Sequence, residues 1–313
     1  MLSSKERTVL RQAFLSLSNS QDLQNVALHN GAARKFALRF VAGETLQQAV
    51  QAIAALNAKG CKATFDHLGE NICNAEEARQ AAASYIDILE AIKRHRLDSN
   101  VSLKLTQMGL DLDEGLCYEN VERICARARE LNNFVRIDME SSAYTERTLD
   151  VFRRLWHKGG FRNVGVVLQA YLYRTEGDVR EMNKLGARVR LCKGAYNEPS
   201  EVAFPRKEDV DINYARLARL LMKEGNYPGI ATHDERLIQH LRRYAAKKGI
   251  PASKFEFQML YGVRRGVQLE LVRQGYNMRV YVPYGKEWYP YFMRRLAERP
   301  ANVVFVVGNL LKS

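Results

Sequence analysis

From residue 61 onward the sequence alternates, eight times, a short run of β-branched and apolar residues with a longer amphipathic stretch. No other feature constrains the fold as strongly. The apolar runs span residues 63–68, 101–106, 134–139, 164–170, 187–192, 229–233, 255–260 and 279–282. Helical periodicity fills the intervals at 75–94, 118–131, 146–158, 179–185, 212–224, 234–248 and 267–274, and a last helix over 288–299 stops before Pro300. Parallel strands need crossovers, and strands covered on both faces read as continuous apolar runs. Eight such units in about 250 residues is the size of a (β/α)8 barrel. The competing doubly wound sheet carries a G-x-G-x-x-G turn after an early strand, and the sequence contains none. The expected fold is therefore α/β, a TIM-type barrel over 61–313 preceded by a helical segment over 1–60, the whole a single structural unit.

That first segment reads as helix, turn, helix. Ser3 with Glu6, and Thr45 with Gln48, have capping-box spacing ahead of apolar-periodic stretches. The second stretch, 46–56, is followed by Gly60 as a stop signal, and 32–40 has the pattern of a further helix. The longest apolar runs, 164–168 and 303–307, fall far short of the ~20 residues of a spanning helix. No basic region followed by an apolar stretch opens the chain, so no secretory signal is expected. Five cysteines without C-x-x-C spacing point to free thiols in a reducing, cytoplasmic setting.

Barrel chemistry sits at the C-terminal ends of the strands. There the runs offer Asp66, His67 and Glu70; Lys104 and Thr106; Arg136, Asp138, Met139 and Glu140; and Gln169. The later runs add Arg190 and Lys193 through Tyr196; Thr232, His233 and Asp234; Glu256 and Gln258; and Tyr281. Alternation along each strand projects these groups together into one mouth. Lys104, Arg190 and Lys193 make that mouth read as cationic, and Lys193-Gly194-Ala195 pairs a lysine with compact backbone suited to a phosphate. In the last helix Tyr291, Arg294 and Glu298 share a face, and Arg294-Arg295 has the chemistry of carboxylate recognition.

Other chemistries find no support. The sequence has no P-loop, H-E-x-x-H or G-x-S-x-G motif, and only His67 and His233 of six histidines stand at strand ends. His233 reads as a hydrogen-bonded strand-end residue before it reads as a ligand, so no metal is expected. Lys and Arg number 48 against 35 Asp and Glu, a net charge of +13, but the charge is dispersed without a nucleic-acid motif.

The strand-end motifs carry a resemblance. Arg190-Leu191-Cys192-Lys193-Gly194-Ala195-Tyr196, the stretch Gln169 to Arg174, Ser102 to Thr106, and Tyr281 followed by Tyr291 to Arg295 resemble the proline dehydrogenases, in particular their short monofunctional bacterial form. The resemblance runs from about residue 46 to 302. It implies a distorted barrel with non-covalent FAD at the strand C-termini. The implied reaction is the first step of proline catabolism to glutamate: oxidation of L-proline to Δ1-pyrroline-5-carboxylate by hydride transfer to flavin N5. Electrons then pass to a membrane quinone, from a cytoplasmic protein in peripheral contact with the membrane.

Carried over residue by residue, Arg294 and Arg295 grip the substrate carboxylate, with Glu70 holding Arg294. Lys104 lines the pocket, and Tyr281 and Tyr291 pack on the proline ring. Arg190 donates toward flavin N5 and Asp138 organises the site. Met139, Gln169, Lys193, Gly194, Ala195, Tyr196, Thr232 and His233 contact FAD. His67 stands where relatives often have an apolar residue. The alternative reading is a non-redox barrel that binds an anionic phosphate or carboxylate metabolite.

Overall fold

Each apolar run forms a parallel strand, and the eight strands close on themselves in chain order. A computed structural model describes residues 38–69 and 72–298, the last five of these by backbone alone. The strands are β1 (Lys62–His67), β2 (Ser99–Leu103), β3 (Val135–Ile137), β4 (Val164–Gln169), β5 (Arg188–Cys192), β6 (Gly229–Ala231), β7 (Glu256–Leu260) and β8 (Asn277–Tyr284). Closure is made where β1 pairs with β8, from Lys62 opposite Arg279 to His67 opposite Tyr284.

Helix α1 (Leu46–Asn57) precedes the barrel. Then α2 (Ala75–Arg94), α3 (Glu114–Glu130), α4 (Thr145–His157), α5 (Thr175–Leu185), α6 (Lys207–Glu224), α7 (Glu235–Lys248) and α8 (Arg265–Arg273) connect successive strands, and α9 (Trp288–Glu298) follows β8. Local chemistry agrees with these bounds. Asn74 caps α2 by accepting the Glu77 N–H, with Glu76 and Glu77 in its first turn and Lys93 and Arg94 in its last, the charge order the helix dipole favours. Thr45 and Gln48 form the expected capping box on α1, whose Ala49, Val50 and Ile53 join the barrel's own core. The expected 3–17 helix lies outside the described residues, as does most of 32–40, of which 38–40 form a turn.

Several strand ends differ from the periodicity: β3 and β6 stop at Ile137 and Ala231, two residues short of the runs 134–139 and 229–233. The run at 101–106 leaves the ladder after Leu103, yet stays apolar because Leu105 remains fully buried within the turn that follows. The run at 279–282 is extended to Asn277–Tyr284, and within it Pro283, which has no N–H to give, accepts the Ala42 N–H on its carbonyl at 2.8 Å.

The barrel interior is filled, low down, by charge. Glu256 opens β7 and its carboxylate accepts Arg279 Nε at 2.7 Å and Gln258 Nε2 at 2.6 Å, while Arg279 also donates to the Ala63 carbonyl. Arg136 crosses beside them to the carbonyls of Val166 and Arg188. Gly165 makes that crossing possible: a Cβ there would stand 2.3 Å from the Arg188 oxygen and 2.8 Å from Arg136 Nη1. Arg136, Glu256 and Gln258 therefore do not belong to the mouth, as strand parity alone implied; they pack the floor beneath it.

Burial pushes the Glu256 carboxyl up, but the Arg279 charge and hydrogen bond outweigh it and hold the group below its ordinary value. A depressed carboxylate stabilises the fold above its unfolded pKa and loses that contribution as pH falls through the folded value. Glu256→Gln is expected to lower unfolding free energy by about 3–5 kcal/mol at neutral pH, because it leaves Arg279 buried without its counter-ion. In denaturant titrations the deficit should narrow on acidification below about pH 4.

Candidate active site

Four strands deliver their inward residues to one carboxylate above this floor. Asp138 follows the last residue of β3 and remains tied to β2 through its N–H on the Leu103 carbonyl, 2.8 Å. Its Oδ1 accepts Ser102 Oγ from β2 and Arg190 Nη1 from β5, each at 2.7 Å. Its Oδ2 accepts the Tyr281 hydroxyl from β8 at 2.8 Å. Ser102 Oγ in turn accepts Arg190 Nη1 at 3.2 Å, and the guanidinium stands 5.2 Å from the Tyr281 ring centroid. Enclosure by protein, then the charges of Asp138 and Asp66, pushes the Tyr281 phenol well above its ordinary pKa. It is a proton donor at any physiological pH.

The sequence reading brings Asp138, Arg190 and Tyr281 together, and the structure does so by direct hydrogen bonds. It does not foresee the charge balance. Lys104, just past β2, stands 3.5 Å from Asp66 Oδ1, and Lys193 Nζ contacts Asp211 at 2.5 Å and Asp234 at 3.1 Å. Burial opposes ionisation of Asp234, yet Lys193 and the backbone amides at the start of α7 hold its carboxyl below the usual range. Each cation that made the mouth read as cationic is therefore matched by at least one carboxylate, because a half-buried charge without a partner is costly. Ser102 and Asp211 are side chains that sequence reasoning gave no part in the mouth, and Asp66, which it placed there, it did not pair with Lys104. The signal was available for Asp66, two positions after the inward-facing Thr64.

Other expected residues fall in place around this centre. Gln169 ends β4 and is buried; its side-chain Oε1, like Arg190 Nε, has no hydrogen-bond partner among the described residues. Gly194, at φ +110°, leaves room for the Tyr171 ring, which a Cβ would meet at 2.4 Å. Met139 is buried in the main core. Thr232 Oγ1 accepts the Asp234 N–H at 3.1 Å, and His233 Nε2 accepts the Leu260 N–H at 3.0 Å, the strand-end role expected for it. Tyr291 on α9 is buried in a satellite cluster with Leu68, the residue after β1, so α9 leans on the β1 edge of the mouth. Glu70 and the side chains of Arg294 and Arg295 lie outside the described residues.

Comparison with known proteins decides the family. The family described as proline dehydrogenase matches residues 49–307. The chain belongs to the proline dehydrogenase family. Among relatives, proline dehydrogenase 1 of Bacillus subtilis subsp. natto is 46% identical over 97% of this chain and 100% of its own length. The proline dehydrogenase of Deinococcus radiodurans is 42% identical over 96% and 98%. Among solved structures, proline utilization A of Bdellovibrio bacteriovorus, inactivated by N-propargylglycine, superposes with a TM-score of 0.80 at 26% identity, over 88% of this chain. This chain spans about a third of that protein's length, 34%. The closed (β/α)8 barrel is the fold that this chain has in common with that structure.

Proposed function

We propose that this chain oxidises L-proline to Δ1-pyrroline-5-carboxylate with non-covalent FAD, and hands the electrons to a membrane quinone. Membership of the proline dehydrogenase family makes it an oxidoreductase of proline metabolism. The observation that carries the finer reading is two buried, unpartnered polar atoms on neighbouring strands: Arg190 Nε of β5, whose guanidinium belongs to the Asp138 hub, and Gln169 Oε1 at the end of β4. One is a donor and the other an acceptor, as a ring system with both kinds of edge requires, and buried polar atoms are ordinarily satisfied. When bound, FAD supplies the two-electron acceptor for the hydride of the substrate ring.

The chain's own residues do the rest. Asp138 orients Arg190 through one oxygen and Tyr281 through the other, so cation and phenol hold a fixed relation across the mouth. Tyr281 stays protonated and presents its ring as an apolar wall for the pyrrolidine. Lys104, held by Asp66, forms the opposite side of the pocket. Arg294 and Arg295 grip the substrate carboxylate, with Glu70 supporting Arg294 and Tyr291 packing nearby. Met139, Gln169, Lys193, Gly194, Ala195, Tyr196, Thr232 and His233 line the cofactor side. Lys193 contributes there mainly through backbone, since its amine is occupied by Asp211 and Asp234.

No helix among the described residues is long and apolar enough to cross a membrane, so quinone contact is assigned to peripheral association. The barrel of 61–313 is read as the catalytic unit. The test is reconstitution of stripped protein with FAD, followed by proline-dependent reduction of a soluble quinone analogue. Turnover requiring both FAD and proline supports the reading; turnover indifferent to added FAD contradicts it. A barrel that merely collects anions would need unmatched cations in its mouth, and those described are matched.

A further inference from the structure

The loop between β5 and α6 is wound around a single side chain from the neighbouring unit. Tyr171, two residues past Gln169, donates its N–H to the Lys193 carbonyl at 2.9 Å and accepts the Phe204 N–H on its own carbonyl at 2.8 Å. Its ring fills the space against Gly194, and its hydroxyl donates to Glu198 Oε1 at 3.2 Å. Leu172 and Ala203 add an antiparallel bridge. Residues 193–204 thus make a strap whose two ends and middle all touch Tyr171.

Glu198 ties this strap to a third loop. The same carboxylate accepts the Ser142 N–H at 2.8 Å and the Ser142 hydroxyl on its other oxygen. Ser142 opens the short 3-10 turn Ser142–Tyr144, four residues after Asp138. One charged group therefore joins the loops that follow β3, β4 and β5. Hydrogen bonds to an ionised acceptor are the stronger kind, and three donors converge on this one.

We propose that Tyr171 and Glu198 are positioning residues for cofactor retention: they latch the strap that begins with Lys193-Gly194-Ala195-Tyr196, and opening the latch frees the cofactor. The inference rests on the flavin reading above and adds the residues that govern how long the cofactor stays. Among the described residues the side-chain hydrogen bonds of Tyr171, Glu198 and Ser142 run to one another, and those of Asp138 to Ser102, Arg190 and Tyr281, so substrate handling should be spared.

The test compares Glu198→Ala, Tyr171→Phe and Ser142→Ala with the wild type. FAD release, followed by recovery of flavin fluorescence after dilution, should accelerate about tenfold or more in Glu198→Ala and less in Tyr171→Phe, which keeps its ring against Gly194. Ser142→Ala combined with Glu198→Ala should release FAD no faster than Glu198→Ala alone. The KM for proline at saturating FAD should stay within about twofold, as expected for a change outside the substrate pocket. Amide hydrogen exchange over 195–203 in the FAD-free protein should speed up in Glu198→Ala. Unchanged release or unchanged exchange overturns the latch while leaving the flavin reading standing. Wild-type protein that takes up no FAD overturns both.

Discussion

Replacing Asp138 with alanine should lower both stability and turnover by more than any other single change at the hub. Three donors, Ser102, Arg190 and Tyr281, end on this carboxylate. Arg190 is only 6% exposed, so removing the Asp138 carboxylate strands a buried guanidinium. Breaking a buried pair in this way costs about 3–5 kcal/mol, which denaturant unfolding will show. Turnover should fall about 10²–10³-fold, the scale of losing one aligned electrostatic group or an ångström of register. The pair must also be coupled. In a double-mutant cycle Arg190→Met should cost much less on the Asp138→Ala background than on the wild type, because its counter-ion is already gone. Additive losses, or an Asp138→Ala protein of ordinary stability, would show that the hub is incidental.

Replacing Arg294 or Arg295 with methionine should be nearly as damaging, but to substrate capture alone. The charge balance of the mouth is the reason. Lys104, Arg190 and Lys193 are already engaged by Asp66, Asp138, Asp211 and Asp234, so the described cations leave little net attraction for a carboxylate substrate. On the proposed reading the α9 arginines supply it. Truncating one partner of a buried, hydrogen-bonded charge pair costs about 2–5 kcal/mol, which corresponds to a fall in kcat/KM from about thirtyfold to a few thousandfold. FAD affinity should stay near the wild-type value. Lys193→Met should have little effect on proline capture, since its amine is engaged by Asp211 and Asp234. If the two α9 variants bind proline as the wild type does, the carboxylate is held elsewhere.

The barrel was legible because its signal is repeated. Val164–Gln169 is apolar at nearly every position, as a strand covered on both faces can be, and the seven further runs alternate apolar residues with polar ones at a regular spacing along the chain. Residues at strand ends were legible for the same reason, since parity places Asp138, Arg190 and Tyr281 on the inner side. What parity does not encode is height within the barrel. Arg136 and Asp138 have the same inward direction, yet one plugs the floor and the other centres the mouth. Partners remote in sequence were also hidden: Asp211 lies in α6 and Asp66 in β1, and neither spacing nor periodicity relates them to Lys193 or Lys104. Lys104, Arg190 and Lys193 made the mouth read as cationic for that reason, although each is matched by a carboxylate.

Anaerobic addition of L-proline to the purified, FAD-loaded protein tests the central claim most directly. The account predicts a yellow protein whose flavin absorbance is bleached by proline and restored by a quinone. Protein that takes up no FAD, or that keeps its oxidised spectrum in excess proline, would contradict it.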